Sequence, residues 1–384
     1  MEPVTHLLTG ACLSRSGLNR RAAYATLTMV VAAEFPDIDT LWSLRGPIEG
    51  FQHHRGITHT FLGLPFEAAL IVAGVYAWHR WRLKRANPSA TGRARPLTAA
   101  PVRWGVLYGL ALVALLSHLL LDYTNNYGLR PFFPFNDRWY AGSIVFIVDP
   151  LMLALLLGAL ILPWIFGLVN AEVGAKKQPF KGRGWAIAAL VGIVGWWGLR
   201  AVEHDRALQM ARSQSMVAPR PESAATATQT QDDDAAYVPT YLPTRAALAS
   251  PDLLSPFRWS AVMDFGQVYK LAEIDTYGQT LTTGEEMYPK PGSSAAVLTA
   301  ERSKLGRAYM DWSPMPFVEV TKAEGAVAAD GGELGTAITV VTFRDPRFLG
   351  GRLAETGRQP LTGTVELDAP GRVVRQTMDG RVEP

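Results

Sequence analysis

The sequence predicts a multi-span α-helical membrane domain followed by a small soluble α+β domain with an antiparallel sheet. Three observations carry this. Apolar residues crowd into the chain before about residue 202. Four stretches there are long enough to cross a bilayer. After about residue 251, apolar and polar residues alternate with a period near two. The expected boundaries are a helical membrane domain over 1–205, a linker over 206–250 and an external α+β domain over 251–384.

Composition agrees. The chain has 384 residues, 48% hydrophobic and only 18% charged, which is low for a soluble protein. A net charge of +3 is too small to suggest nucleic acid. The single cysteine, Cys12, excludes an internal disulfide. A cleavable signal peptide is not expected, because Glu2 stands where a basic segment is needed and His6 interrupts a short apolar run.

The first elements, VTHLLTGACLS and RRAAYATLTMVVAAEF, read as a helical hairpin too short to span, with Arg15, Arg20 and Arg21 at its turn. The spans follow at 60–79, 104–121, 144–169 and 185–202. Roughly 18 to 25 apolar residues at about 1.5 Å each cross a hydrocarbon core about 30 Å thick. Arg80, Arg82, Lys84, Arg85, Arg93, Arg95 and Arg103 separate the first two spans, and Lys176, Lys177, Lys181 and Arg183 the last two. Both loops should be cytoplasmic, which puts the aromatic loop 122–143 and the tail outside.

With that direction set, imidazoles and carboxylates from separate segments fall at one outer face. They are His6, Glu34, Asp37, Asp39, His54, His59, His118 and Asp122. His118 and Asp122 are four apart and share a helix face. Thr58 can cap a helix that begins at His59, and Gly56 lets the chain turn after Arg55. Mixed His and Asp without Cys suits zinc first, then manganese or iron, and there are ligands for one or two ions. The expected metal set is His6, Asp37, Asp39, His54, His59, His118 and Asp122. Glu34 is a candidate base and Arg55 a candidate holder of an anionic group such as phosphate. Plainer readings fit the rest. His53 is an interfacial residue, Asp149 before Pro150 a helix cap and Glu67 a buried polar contact, while His79 and His204 lie away from this layer.

The ordered motifs H6-xxx-G10, P36-D-I-D39, H54-R-G-I-T-H59 and H118-L-L-L-D122 followed by Thr124 resemble the membrane-bound metal-dependent hydrolases of bacterial inner membranes. PFRW at 256–259 and WSPMP at 312–316 resemble elements found in members with a soluble extension. Thr60 stands where that family more often has Ser. More distantly, the set resembles zinc-dependent phospholipases C. The resemblance implies metal-dependent hydrolysis at the membrane surface, with a phosphoester or lipid-linked substrate. It also implies residence in the inner membrane, with site and tail periplasmic or extracellular.

The tail reads as a polar linker, then strands at FRWSAVMDF, QVYKLAEIDTYG, FVEVTKAEG, AITVVTFRD and GTVELDA, with one helix over 294–312. It has no His after 204, so catalysis is not expected there. Two other function classes compete: a transporter or metal-handling protein that uses the same His/Asp set in transit, and a membrane-tethered binding module in which that layer is structural.

Overall fold

The computed structural model describes residues 1–85, 101–172, 182–218, 240–292, 294–323, 338–349 and 360–384, with side chains omitted for 167–172. Arg93, Arg95, Lys176, Lys177, Lys181 and residues 219–239 of the expected linker lie outside these residues. The chain divides into two compact units. One is Met1–Ala201 with Leu253–Ser255 and Arg381–Pro384; the other is Val202–Asp252 with Pro256–Gly380.

The first unit is helical. Helices α1 (Pro3–Arg15) and α2 (Ala25–Glu34) form the expected hairpin, joined by a turn that carries Arg20 and Arg21. They approach closely because residue 10 is glycine: a Cβ there would sit 2.7 Å from both Ala33 Cβ and the Met29 carbonyl oxygen. Pro36 cannot donate a backbone hydrogen bond, and after it the chain runs on as a 3-10 helix over Phe35–Leu44. Next come α3 (Pro47–His53), a short 3-10 turn Ile57–His59, and the long helices α4 (Gly63–Arg85), α5 (Trp104–Thr124), α6 (Pro150–Glu172) and α7 (Arg183–Arg212).

Among the described residues two helices, α5 and α7, are long and apolar enough to cross a membrane. The segments Pro47–His59 and Gly63–Arg85, bent by 84°, make a third if they count as one broken span. The expected third span at 144–169 begins later, at Pro150, and its helix runs to Glu172, with side chains described over the apolar stretch Pro150–Phe166. Residues 144 and 145 are held instead by the Thr124 carbonyl, and the helix starts where Asp149 Oδ1 accepts from Met152 N at 3.0 Å. Among the described residues the helical region therefore offers two to three candidate spans, against the four expected. A second correction concerns the cap of the first span. Thr60, not Thr58, accepts from Gly63 N at 2.9 Å, so α4 begins four residues after His59.

The helices pack through small residues, as lipid-embedded helices do. Ala25, Ala32 and Ala33 of α2 meet Ala68 of α4 and Ala111 and Ala114 of α5 in one core. A second core joins Cys12 of α1 to Met152 and Leu156 of α6 and to Ala186 and Ala189 of α7. Phe66 and Leu70 of α4 and Val191 and Val194 of α7 face outward, each more than 60% exposed. Such faces suit lipid rather than water.

The second unit is α+β, as expected, but holds two principal sheets rather than one. Strands β1 (Ser215–Val217) and β2 (Tyr241–Pro243) pair alone. Strands β3 (Ala246–Pro251), β4 (Arg258–Asp264), β5 (Val268–Asp275) and β6 (Thr280–Pro289) form an antiparallel sheet in that order. Thus residues expected in the linker include the end of α7 and three strands. The expected single helix over 294–312 is two, α8 (Ala295–Arg302) and α9 (Lys304–Trp312). Ser303 breaks it by adopting an extended backbone and accepting from Gly306 N at 3.0 Å, which caps α9. Strands β7 (Phe317–Ala323), β8 (Ile338–Arg344), β9 (Gly363–Leu367) and β10 (Val373–Met378) make the second sheet, in order β10-β9-β8-β7. Trp259 of PFRW is fully buried, its Nε1 donating to the Pro256 carbonyl at 3.1 Å.

Candidate metal centre

The site forms where α1 and α4 begin and α2 and α5 end. The carbonyl ends of α2 and α5 bring partial negative charge to this point, which favours a cation. The basic ends lie elsewhere: Arg15 closes α1, Arg82, Lys84 and Arg85 close α4, and Arg183 opens α7.

His118 and Asp122 lie one turn apart on α5, both fully buried. His118 Nδ1 lies 2.7 Å from the Ala33 carbonyl oxygen. A carbonyl can only accept, so Nδ1 carries the proton and Nε2 presents a lone pair. His59 is built the same way: Nδ1 meets Asp39 Oδ2 at 3.1 Å and Nε2 faces inward. The two Nε2 atoms are 3.1 Å apart. Asp37 Oδ1 lies 3.3 Å from His59 Nε2 and 3.7 Å from His118 Nε2. Asp122 Oδ2 completes the group at 3.3 and 3.5 Å from the same two nitrogens. Bonds of about 2.0–2.1 Å to a tetrahedral zinc would set donor atoms about 3.3–3.4 Å apart, so this donor set fits such an ion.

The two oxygens of Asp122 differ. Oδ1 accepts from Arg55 Nη2 at 2.8 Å and contacts the α-amino group of Met1. Oδ2 is buried without a hydrogen-bond partner. Hence the oxygen that faces the imidazoles is the one still unanswered.

Asp37 and Asp39 are two apart on a 3-10 stretch, so their carboxylates diverge. Asp37 turns to the α5 pair. Asp39 turns to α3 and the turn after it, accepting from Arg55 N at 2.8 Å and Thr58 Oγ1 at 3.1 Å and meeting His54 Nδ1 at 3.0 Å. Asp39 is thus placed to orient His59 and His54. Donor atoms of Asp37, Asp39 and His54 also lie within 4.8 Å of one another, so a second group shares Asp37 with the first. Burial alone would raise both carboxyls. The neighbouring imidazoles, His59 and His118 for Asp37 and His54 and His59 for Asp39, override it, holding Asp37 down at about 2 and Asp39 well below the usual carboxylate range.

His6 of α1 stacks on His118 with centroids 3.8 Å apart, and its Nε2 is 3.5 Å from Asp122 Oδ1. Burial, then the neighbouring His118 and the α-amino group, press its pKa down to about 3, which keeps the ring neutral. Glu34 ends α2 with Oε2 buried and unpartnered. Burial and then the charge of Asp37 push its pKa up to about 7.

The sequence profile of the YdjM inner membrane protein family matches residues 1–207, the whole site included. The chain belongs to this YdjM family. It is also similar to the Bacillus subtilis (strain 168) protein named uncharacterized protein YfhP. The two are 25% identical over 158 residues, 39% of this chain and 42% of that relative. The match therefore spans less than half of the relative. No solved structure matches the chain.

The remaining expected residues of this YdjM protein are placed as follows. Arg55 is buried, with Nη1 donating to the Gly128 carbonyl at 2.6 Å and Nη2 to Asp122, so the expected anion holder is engaged in fixing a carboxylate. Its own backbone, not that of Gly56, takes the left-handed turn, at φ 56°. Asp39 Oδ2 holds its N–H there, and strain of this kind collects at functional sites. His53 stands apart, stacked on Trp42 at 4.3 Å. Asp149 caps α6 and accepts from Trp196 Nε1 at 3.0 Å. Glu67 is buried in α4, His79 meets the Tyr24 hydroxyl, and His204 lies beside Trp259 in the second unit. Asn125 was not anticipated. Its Oδ1 accepts from Tyr127 N at 2.8 Å and Arg55 Nη1 at 3.3 Å, tying the α5 end to Arg55. The run NNYG after an apolar helix was the available signal, since Asn and Gly mark such ends.

Proposed function

We propose that this YdjM-family protein is a divalent-metal-dependent hydrolase of phosphoester bonds, with zinc its first-choice ion and its site on the non-cytoplasmic surface of the inner membrane. One observation carries the reading. Two imidazole nitrogens oriented as lone-pair donors lie 3.1 Å apart beside two carboxylate oxygens, an arrangement of four electron-rich atoms that a cation relieves. His59, His118, Asp37 and Asp122 would hold the ion. His6 stands on the far oxygen of Asp122, and Asp37, Asp39 and His54 offer a second position. A bound divalent ion supplies Lewis acidity and makes a nearby water acidic enough to attack an ester at neutral pH.

The chain's own residues do the rest. Ala33 and Asp39 fix the tautomers of His118 and His59, the outer-shell role that keeps ligand imidazoles aimed. Arg55 keeps one oxygen of Asp122 occupied so that the other stays inward. Glu34, whose carboxyl burial and the Asp37 charge push up to about 7, would accept the proton that an attacking water gives up. The basic helix ends lie away from the site, which supports an external orientation by charge asymmetry.

The test is metal analysis and hydrolysis of a chromogenic phosphodiester by the full chain purified in detergent. Bound zinc, manganese or iron is expected, lost in His118→Ala and Asp122→Asn, together with chelator-sensitive turnover. Protein free of all three metals, or turnover indifferent to chelator, overturns the reading.

A further inference from the structure

The helix that leads into His54 and Arg55 begins without a cap of its own. Helix α3 (Pro47–His53) has only 7 residues, too few to be stable in water by itself. Its first residue, Pro47, has no N–H to offer. The residue before it, Gly46, sits at φ 151°, a conformation that suits glycine and leaves no side chain to cap with. The first N–H that the helix presents is therefore that of Ile48.

An acid far along the sequence answers it. Glu383 Oε2 accepts from Ile48 N at 2.8 Å, across 335 positions of sequence. The carboxylate lies against Gly46, where a Cβ would fall 2.6 Å from Oε2 and 2.9 Å from Oε1. Glycine is thus needed at this position both for the turn and for the approach. Arg381–Pro384 belongs to the same compact unit as the metal centre. A carboxylate at a helix start also meets the positive end of the peptide dipoles.

What Glu383 holds is connected to the centre. Ile48 is fully buried. Gly50 packs on Ser43, where a Cβ would fall 2.3 Å from Ser43 Oγ, so α3 lies tight on the 3-10 stretch that carries Asp37 and Asp39. The helix closes with His54 N donating to the Gly50 carbonyl at 3.0 Å. His54 Nδ1 and the Arg55 N–H then meet Asp39, and the Arg55 guanidinium meets Asp122. A shift at the start of α3 therefore reaches both carboxylates.

We infer that Glu383 is a positioning residue for the metal centre, seating α3 so that His54 and Arg55 reach Asp39 and Asp122. The inference rests on the metal reading for its effect on an ion. The YdjM match ends at residue 207, so this support lies in a part of the chain that the family profile does not cover.

The full chain purified in detergent tests it. In Glu383→Ala, hydrogen exchange at the Ile48 amide should quicken about tenfold, because a protected donor loses its acceptor. Trp42 stacks on His53 and reports the other end of α3. Its emission, isolated by difference against Trp42→Phe, should shift. Zinc affinity should fall about fivefold in competition with a chelating dye, the size of a lost helix cap. Glu383→Gln keeps an accepting oxygen and should return Ile48 exchange and zinc affinity to within about twofold of wild type. His118→Ala should lose zinc yet keep Ile48 protected, which separates failure of this inference from failure of the metal reading. Ile48 exchange unchanged in Glu383→Ala overturns the inference. So does faster exchange with Trp42 emission and zinc affinity both at wild-type values, and so does a Glu383→Gln as impaired as Glu383→Ala.

Discussion

The two units each bury a cluster of charge, and they treat it in opposite ways. In the second unit Asp345 is buried with every oxygen answered. Ser313 Oγ donates to Oδ2 at 2.6 Å, while Arg347 donates from its backbone N and Nε to Oδ1 and from Nη2 to Oδ2. Arg347 in turn lies over the Trp312 ring at 4.7 Å. This is a closed structural pair, made by the WSPMP element and the DPRF turn. In the first unit the cluster stays open: Asp122 Oδ2, Glu34 Oε2 and His6 Nδ1 are all buried without partners. Unsatisfied buried groups are expensive, and a native fold keeps them where something else binds. Burial of charge alone would not have distinguished the two clusters; completeness of partners does.

Mutations should therefore separate by what they damage. The largest expected effect is on chemistry. Glu34→Gln should lower phosphodiester turnover by about 10²- to 10⁴-fold, the range for a general base, while metal content stays at the wild-type level. The pH profile should report the same group. Glu34 accepts a proton only when ionised, so wild-type turnover should climb as pH rises through about 7, and the variant should lose that limb. Next comes the closed pair. Asp345→Ala removes the carboxylate on which three Arg347 N–H groups and the Ser313 hydroxyl converge and should destabilise the second unit by about 3–5 kcal/mol in denaturant melts, with metal content of the first unit unchanged. A variant that lost metal instead would break the distinction between the clusters.

Asp39→Asn should act between these extremes, weakening metal affinity by about 10- to 100-fold as outer-shell changes do, read by competition with a chelating dye. The smallest effect is purely local. Ser303→Ala removes the cap between α8 and α9 and should cost about 1 kcal/mol of stability without changing turnover.

Much of the centre was legible in the sequence because it follows from periodicity. His118 and Asp122 share a face at spacing four, and the basic helix ends lie away from them. Less legible was the division of labour. Asp37 and Asp39 look alike in P36-D-I-D39, yet two positions apart on a helical stretch they point different ways, Asp37 to the His59 and His118 nitrogens and Asp39 to His54 and the other side of His59. Arg55 looked free to hold an anion, but a left-handed backbone folds it onto Asp122, a conformation that Gly56 next to it seemed better suited to take. Strand β6 escaped notice for a different reason. Nearly every position of TLTTGEEMYP is exposed, so neither face carries the apolar alternation that marks a strand. The break at Ser303 was hidden because α8 and α9 are each amphipathic, and their patterns run together across one serine.

Residue 10 reaches further than its size suggests. With only a hydrogen on its Cα, it lets the first helix lie against the second at a separation that any other side chain would widen. His6, one turn earlier on that helix, rides on this spacing to reach the ring of His118. The reach of an imidazole into the centre is thus gauged by an atom that touches neither ligand nor substrate, and even a methyl group at that point would prise the first helix off the cluster.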